Sequence, residues 1–326
     1  MKHRRSLAVL TALALGLSAC ASAPTRARDD PSGSAAFPLT LDVPGTGKTL
    51  TVAEEPRRIV ALSPDAAIAL HELGLTDRLV AIPKAAENPT LNPYAEQMAD
   101  VEHVIAGENS PEPERVLGWN PDLVVVTARH SGERDASEVL GATGVPVLTL
   151  TNGWSSSDAV IENLGLIGRA TGAAGKARAL AAEIREGLAE VRGRAADAES
   201  TPAVAILSNQ ARVPFINAGS SLVSELVANG GGANAADRIG IRRTMPVQPE
   251  QLVAAKPDAI MLVDVTGKGE SSFDAVLRNP AVAALPAVRE RRVRTFPGRE
   301  VYALAGRQVV AGSAAVLAWL HPGLAG

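Results

Sequence analysis

Apolar residues along this chain gather in short unbroken runs, and between the runs they return at helical spacing. Runs at 58–62, 79–82, 123–127, 145–150, 203–207, 259–263 and 292–296 read as buried strands, because a strand covered on both faces needs no alternating polar position. The stretch 66–73, closed by Gly74, and the stretch 221–228, followed by Gly230-Gly231-Gly232, read as helices ended by glycine. Strands alternating with helices predict parallel sheets and an α/β fold. Ahead of the first run, residues 37–52 alternate about Gly45-Thr46-Gly47, which predicts an N-terminal hairpin.

One phrase occurs twice along this pattern. Pro113-Glu114 and Pro249-Glu250 each stand ahead of a Pro-Asp pair, Pro121-Asp122 and Pro257-Asp258, that opens an apolar run. In both copies the first proline suits the opening turn of a helix, the glutamate sits near the positive end of its dipole, and the second proline ends it. The two glutamates lie 136 residues apart, the scale of an α/β domain rather than of a solenoid repeat. The chain therefore divides into two Rossmann-like lobes with parallel sheets, 37–152 and 199–326, around a helical segment 153–198. Within that segment 157–170 and 173–196 are helical, broken near Gly172. The second piece is almost all Ala, Leu, Glu, Arg and Lys, and its roughly 24 residues would reach about 36 Å. One long rigid helix joining two lobes implies small opening motions around a ligand cleft between them.

The first residues belong to targeting. Lys2, Arg4 and Arg5 form a basic end, residues 7–17 are apolar but too short for a permanent span, and Leu17-Ser18-Ala19-Cys20 follows. This matches the lipobox of bacterial lipoproteins, so 1–19 is expected to be a signal peptide and Cys20 the lipidated first residue of the mature chain. Sec export is the expectation, with twin-arginine export left open by Arg4-Arg5. Residues 20–36 read as a flexible tether, which places the protein on the outer face of the cytoplasmic membrane. Cys20 is the sole cysteine, which excludes an internal disulfide and any cysteine-based metal site. Removal of three positive charges takes the formal net charge from −3 to −6, against nucleic-acid binding.

The ordered segments Arg58-Ile59-Val60-Ala61-Leu62-Ser63-Pro64, Glu72-Leu73-Gly74-Leu75, Glu114 with 120–125, residues 166–177, Gly230 to Asn234, Glu250 with Lys256-Pro257-Asp258, and 285–296 together resemble the substrate-binding lipoproteins of ABC importers for ferric siderophores, haem and vitamin B12. The resemblance covers about 57–320. It implies a monomeric receptor, not an enzyme, with no resident cofactor and an iron chelate as transported ligand. It also implies partners: an ABC permease dimer with its cytoplasmic ATPase, into whose basic pockets one acidic residue per lobe docks. The matching positions are Glu114 and Glu250.

Parallel sheets bind ligands beyond the carboxyl ends of their strands. The loops there name Ser63, Asp65, Lys84, Tyr94, Arg129 and His130 in the first lobe, and Asn209, Arg212, Phe215, Arg242, Arg243, Asp264, Arg299 and Tyr302 in the second. Trp154, in a polar loop, joins them. Arginine dominates, and guanidinium groups bind anionic oxygens bidentately and stack on flat rings, which favours an anionic ferric siderophore over haem and cobalamin. Tyr302, Tyr94 or His130 would be the axial candidates for haem iron. The remaining histidines, His71, His103, His130 and His321, are scattered, which argues against a bare metal ion. Gly45-Thr46-Gly47-Lys48-Thr49 lacks the first glycine of a phosphate loop and reads as a turn. No Gly-x-Ser-x-Gly elbow is present, so a lipid-anchored hydrolase is a remote alternative.

Overall fold

The computed structural model describes residues 36–106, 111–210, 213–219, 221–302 and 304–324. The signal peptide, most of the tether, Cys20 and Arg212 lie outside these residues.

The chain opens with an antiparallel hairpin, β1 (Leu39–Val43) and β2 (Lys48–Val52), whose alternating residues Leu39, Leu41, Val43, Leu50 and Val52 are buried. Its turn carries Gly45 and Gly47 at φ +75° and +64°, the left-handed region that glycine enters without steric cost. The first sheet follows: β3 (Ile59–Ala61), α1 (Pro64–Glu72), β4 (Leu79–Pro83), β5 (His103–Ile105), α2 (Pro113–Gly118), β6 (Leu123–Thr127), α3 (Ser131–Ala142) and β7 (Val147–Leu150). Its five strands run in the order β5-β4-β3-β6-β7, and every pairing is parallel.

Two helices lead out of it. α4 (Ser157–Ala170) matches its predicted span, and Gly172 at φ +77° breaks the path before α5 (Ala174–Ala195). α5 has 22 residues, about 33 Å at 1.5 Å per residue.

The second sheet is built from β8 (Ala203–Ser208), β9 (Phe215–Ile216), α6 (Leu222–Asn229), β10 (Ala233–Asn234), β11 (Met245–Pro246), α7 (Pro249–Ala255), β12 (Ala259–Asp264) and, after the short helices α8 (Asp274–Leu277), α9 (Pro280–Ala283) and α10 (Pro286–Arg289), β13 (Val293–Pro297). α11 (Gly298–Val301) and α12 (Gln308–Leu320) close the chain. The order is β11-β9-β8-β12-β13, with β10 beside the start of β8. This sheet departs from the all-parallel expectation at one edge. β9 returns antiparallel to β8, and β11 pairs antiparallel with β9, because the connection after β8 is too short for a crossover helix.

The repeated phrase has a structural counterpart in each lobe. Asn120 and Lys256, ahead of the two Pro-Asp pairs, both adopt positive φ, 49° and 45°. The aspartate that follows then ties down the neighbouring strand. Asp122 accepts from the backbone N–H groups of Arg57 at 2.7 Å and Arg58 at 2.9 Å, just before β3, and Asp258 accepts from that of Ala203 at 2.8 Å, the first residue of β8.

Each sheet has its own outer core, Val116 and Leu140 among the contributors in the first, Leu252 and Phe273 in the second. Their inner faces share one continuous apolar cluster, running from Ile59 and Val125 through Leu164, Ile184 and Leu188 to Val204, Met261 and Val316. The helical layer of α1, α4, α5, α6 and α12 is thus a common core, which extends the rigid bridge beyond a single helix.

A polar cluster crosses the same seam. The wholly buried Glu72 side chain is ion-paired with Arg307, and it accepts hydrogen bonds from Tyr94 Oη at 2.7 Å and Gln308 Nε2 at 2.7 Å. Arg307 also reaches Glu183 of α5, with Nε to Oε1 at 3.1 Å. A Cβ on Gly306 would lie 2.6 Å from Glu72, so the chain passes this carboxylate only as glycine. Tyr94, expected at the cleft, is therefore committed to the seam. Burial and the hydrogen bond to Glu72 push its hydroxyl up to about 12.

Candidate ligand cleft

In a parallel strand the carboxyl end delivers its next residues to one rim, and the first sheet gathers a polar network there. Asp65 Oδ1 accepts from Ser63 Oγ at 2.8 Å, Thr127 Oγ1 at 2.7 Å and the N–H of Ala66 at 3.0 Å. Ser63 follows β3, Thr127 ends β6, and all three side chains are buried. The second oxygen of Asp65 is ion-paired with Arg129 Nη2, which also donates to the carbonyl of Gly153 at 3.2 Å. Burial works against the charge on Arg129, but the Asp65 carboxylate outweighs it and raises the guanidinium pKa further. The Arg129 side chain keeps 35% of its surface open.

The loop carrying Arg129 is held from behind. Glu133, buried in the first turn of α3, accepts from the N–H groups of Arg129 at 2.6 Å and His130 at 2.8 Å. In the sequence α3 is marked by the apolar spacing of Ala136, Val139 and Leu140 and by this Glu at the third helical position reaching back to the cap. His130 is left exposed at the rim. Trp154, at φ 57°, turns inward: it is 3% exposed and its ring N–H donates to Thr127 Oγ1 at 2.9 Å. It supports the floor of the cleft from beneath and presents no face to it.

The second sheet has a corresponding floor. Asp264 ends β12 and is buried. It accepts from Asn209 Nδ2 at 2.7 Å and from the N–H groups of Thr266, Gly267 and Gly269 at 3.2, 3.0 and 2.8 Å. Burial would raise its pKa, but these donors prevail and hold it below the ordinary carboxylate value. Tyr302, after α11, donates its hydroxyl to Gln210 Oε1 at 2.6 Å and stays 37% exposed. Burial is the main cause of the raised pKa of this hydroxyl, with Arg129 lowering it and Asp65 raising it from the other lobe.

Contacts at both flanks fix the lobes around this meeting point. On one side the backbone N–H of Arg299 donates to Thr90 O at 2.6 Å and its Nη1 to Pro89 O at 3.0 Å. On the other, Glu225 of α6 accepts from the N–H of Ser157 at 2.9 Å and from its hydroxyl. Beside Glu225 lies a hollow of about 640 Å³ lined by Ser155, Ser156, Ser221, Asn234 and Asp237 among others.

Arg242 and Arg243 are exposed and make no hydrogen bond or ion pair to the described residues. They precede β11, whose Pro246 stands level with the carboxyl end of β8 through Phe215. This places them down the sheet edge from the rim, and no contact joins them to Arg129 or Tyr302. Lys84 is paired with Glu87 at 2.5 Å. The arginine-dominated rim expected from the loops reduces, among the described residues, to a neutralised Arg129 and an Arg299 turned to a carbonyl. Glu114 and Glu250 are exposed, each in the first turn of its helix with a proline ahead of it. α2 and α7 each lead directly into a parallel strand, so both glutamates lie at the carboxyl-end side of their sheets. Among the described residues no three His, Cys, Asp or Glu side chains converge as a metal site.

Two sheets facing across a cleft at their carboxyl ends, bridged by a helix rather than by strands, define a receptor of the periplasmic type. The chain matches the Periplasmic binding protein family over residues 59–300 and belongs to it. Among curated relatives, an uncharacterized ABC transporter substrate-binding lipoprotein, YvrC of Bacillus subtilis, is 32% identical over 138 residues, 42% of this chain and 41% of that one. A cobalamin-binding protein of Halobacterium salinarum is 30% identical over 178 residues, 52% of this chain and 45% of that one. The match thus spans less than half the length of these relatives. Among solved structures, the periplasmic heme-binding protein RhuT of Roseiflexus sp. RS-1 superposes with a TM-score of 0.69 at 25% identity, over 83% of this chain and 99% of that one. An ABC-type Fe3+-hydroxamate transport protein of Saccharomonospora viridis gives 0.67 at 22%, over 88% and 100%, a likeness of fold.

Proposed function

We propose that this protein is the extracytoplasmic receptor of an ABC importer, anchored through a lipid on Cys20, which captures a ferric siderophore and presents it to the permease through Glu114 and Glu250. The observation that carries the reading is the polar floor at the carboxyl rim of each sheet, Asp65 with Arg129 in one lobe and Asp264 with Asn209 in the other. Ligands of α/β proteins sit at such rims. Arg129 and Tyr302 make the principal cargo contacts, with His130 at the edge. Nothing in this role needs bond chemistry; the chain binds, orients and releases.

Haem and cobalamin are the competing cargoes, the first bound by RhuT as named and the second by the haloarchaeal relative as named. Absorbance and tryptophan fluorescence titrations with a ferric trishydroxamate, haem and cobalamin decide among them. Saturable binding of the trishydroxamate alone is expected; a shifted haem band or bound cobalamin would replace the siderophore as cargo. The double variant Glu114→Lys/Glu250→Lys should abolish uptake with cargo affinity unchanged, and a loss of affinity would contradict the docking role.

A further inference from the structure

We propose that Asp65 is a specificity-determining residue: it masks the charge of Arg129 at the floor of the cleft and so selects a neutral chelate over a strongly anionic one. The inference rests on the receptor reading above and deepens it.

Asp65 is buried beneath Arg129, 5% exposed, and is held as an acceptor by rigid neighbours. The indole N–H of Trp154 can only donate, and it donates to Thr127 Oγ1; Thr127 donates in turn to Asp65 Oδ1, and Ser63 Oγ donates to the same oxygen. The chain of hydrogen bonds runs one way and ends on the carboxylate. Its other oxygen takes Arg129 Nη2, the same nitrogen that reaches Gly153 O. Nε and Nη1 of Arg129 make no hydrogen bond to the described residues. They can therefore donate to the carbonyl oxygens of a cargo, while the positive charge is already compensated a contact away.

Among the described residues, those of the second floor do not restore a positive field. Tyr302 and Gln210 are neutral, Asp264 is a further buried acid, and Arg299 is turned aside to Pro89 O. A trianionic ferric tris-catecholate would have to displace Asp65 from Arg129 or lie against its charge. A neutral ferric trishydroxamate, with carbonyl oxygens on its surface, meets donors and no repulsion.

The test compares the wild type with Asp65→Asn, Arg129→Gln and the double variant, each titrated with a neutral ferric trishydroxamate and a trianionic ferric tris-catecholate. The ratio of the two dissociation constants is the readout, with thermal midpoint and near-ultraviolet dichroism confirming a native fold. The wild type should favour the trishydroxamate at least a hundredfold. Asp65→Asn should move the ratio toward the anion tenfold or more, and Asp65→Asn/Arg129→Gln, which removes both charges, should return it toward the wild-type value. A merely structural Asp65 would lower both affinities alike and leave the ratio where it was, which would overturn the proposal, as would a wild type that prefers the tris-catecholate. If the wild type binds neither chelate, the siderophore reading falls separately. Haem against its dimethyl ester, or cobalamin against its carboxylic acid derivatives, then puts the same question to Asp65: a shifted ratio in Asp65→Asn supports the masking role and an unchanged one overturns it.

Discussion

Asp264 is enclosed by four nitrogen donors at 3.2 Å or less, and removing a charged acceptor of this kind costs about 1.5–3 kcal/mol per well-formed bond at most. Asp264→Asn should therefore lower the unfolding free energy by a few kcal/mol and loosen the segment 264–269. The pH dependence has a definite sign. A carboxylate whose folded pKa lies below its unfolded value contributes stability above the ordinary value of 3.8, lost as pH falls through the folded one. Urea unfolding between pH 5 and 2 should thus show a shallower acid loss in Asp264→Asn than in the wild type; parallel curves would contradict the assignment. At this scale the sequence is informative for residues that directly follow strands. Asp65, Arg129 and Asp264 are legible as rim residues because strand ends deliver their loops there, whereas Tyr302 comes only after α11. Trp154 and Tyr94 stand away from the cleft that their loops suggest, since a polar loop in sequence does not say which way a side chain turns: one goes into the core, the other into the seam.

The repeated helix–strand phrase is an element-level device. Each Pro-Asp pair ends a helix, and its carboxylate then satisfies backbone donors where a neighbouring strand begins, β3 in one lobe and β8 in the other. Those N–H groups have no ladder partner ahead of the strand, so their loss is felt. Asp122→Ala and Asp258→Ala should each cost about 1–3 kcal/mol, measured as a shift in denaturant midpoint at unchanged slope, and the two should add because the sites are far apart. Near-zero effects would reduce the repeat to a coincidence of spacing. The elements that the pattern misses have physical reasons. α12, QVVAGSAAVLAWL, is apolar almost all round because it packs on α5, α6 and α11, so it shows no amphipathic stripe. α3 buries Glu133, Ala136 and Leu140, one helical face whose first member is polar, so its apolar signal is short.

Across the whole molecule the decisive feature is the seam. The shared apolar cluster and the buried Glu72, ion-paired with Arg307 of the second lobe and linked through it to Glu183 of the bridging helix, make the two lobes one mechanical body. Calorimetry should accordingly give a single unfolding transition for both lobes, and two separated transitions would refute the common core. Breaking a buried pair by removing one partner costs about 3–5 kcal/mol. Arg307 is half exposed, so Arg307→Met should cost less than that while still destabilising, and should broaden the distance distribution between spin labels on the two lobes, whereas Arg242→Met on the exposed sheet edge should do neither. Large rotation between ligand-free and ligand-bound states of the wild type is not expected. An unchanged distance distribution in Arg307→Met would show that the apolar core alone sets the angle.

The amino-acid sequence by itself determined the alternation of strands and helices, the duplication, the long bridging helix and the rim from which the site is drawn. These are local: periodicity, caps and proline placement act within a few residues. Only the tertiary structure decided that Arg129 is neutralised by Asp65, that Trp154 lies beneath the floor, and that Glu72, Tyr94, Glu183 and Arg307 meet in one cluster. Charge compensation and burial are set by groups 22 to 235 residues apart in the chain, as Glu72 is from Tyr94 and from Arg307, and no periodicity records which distant side chain will stand beside another.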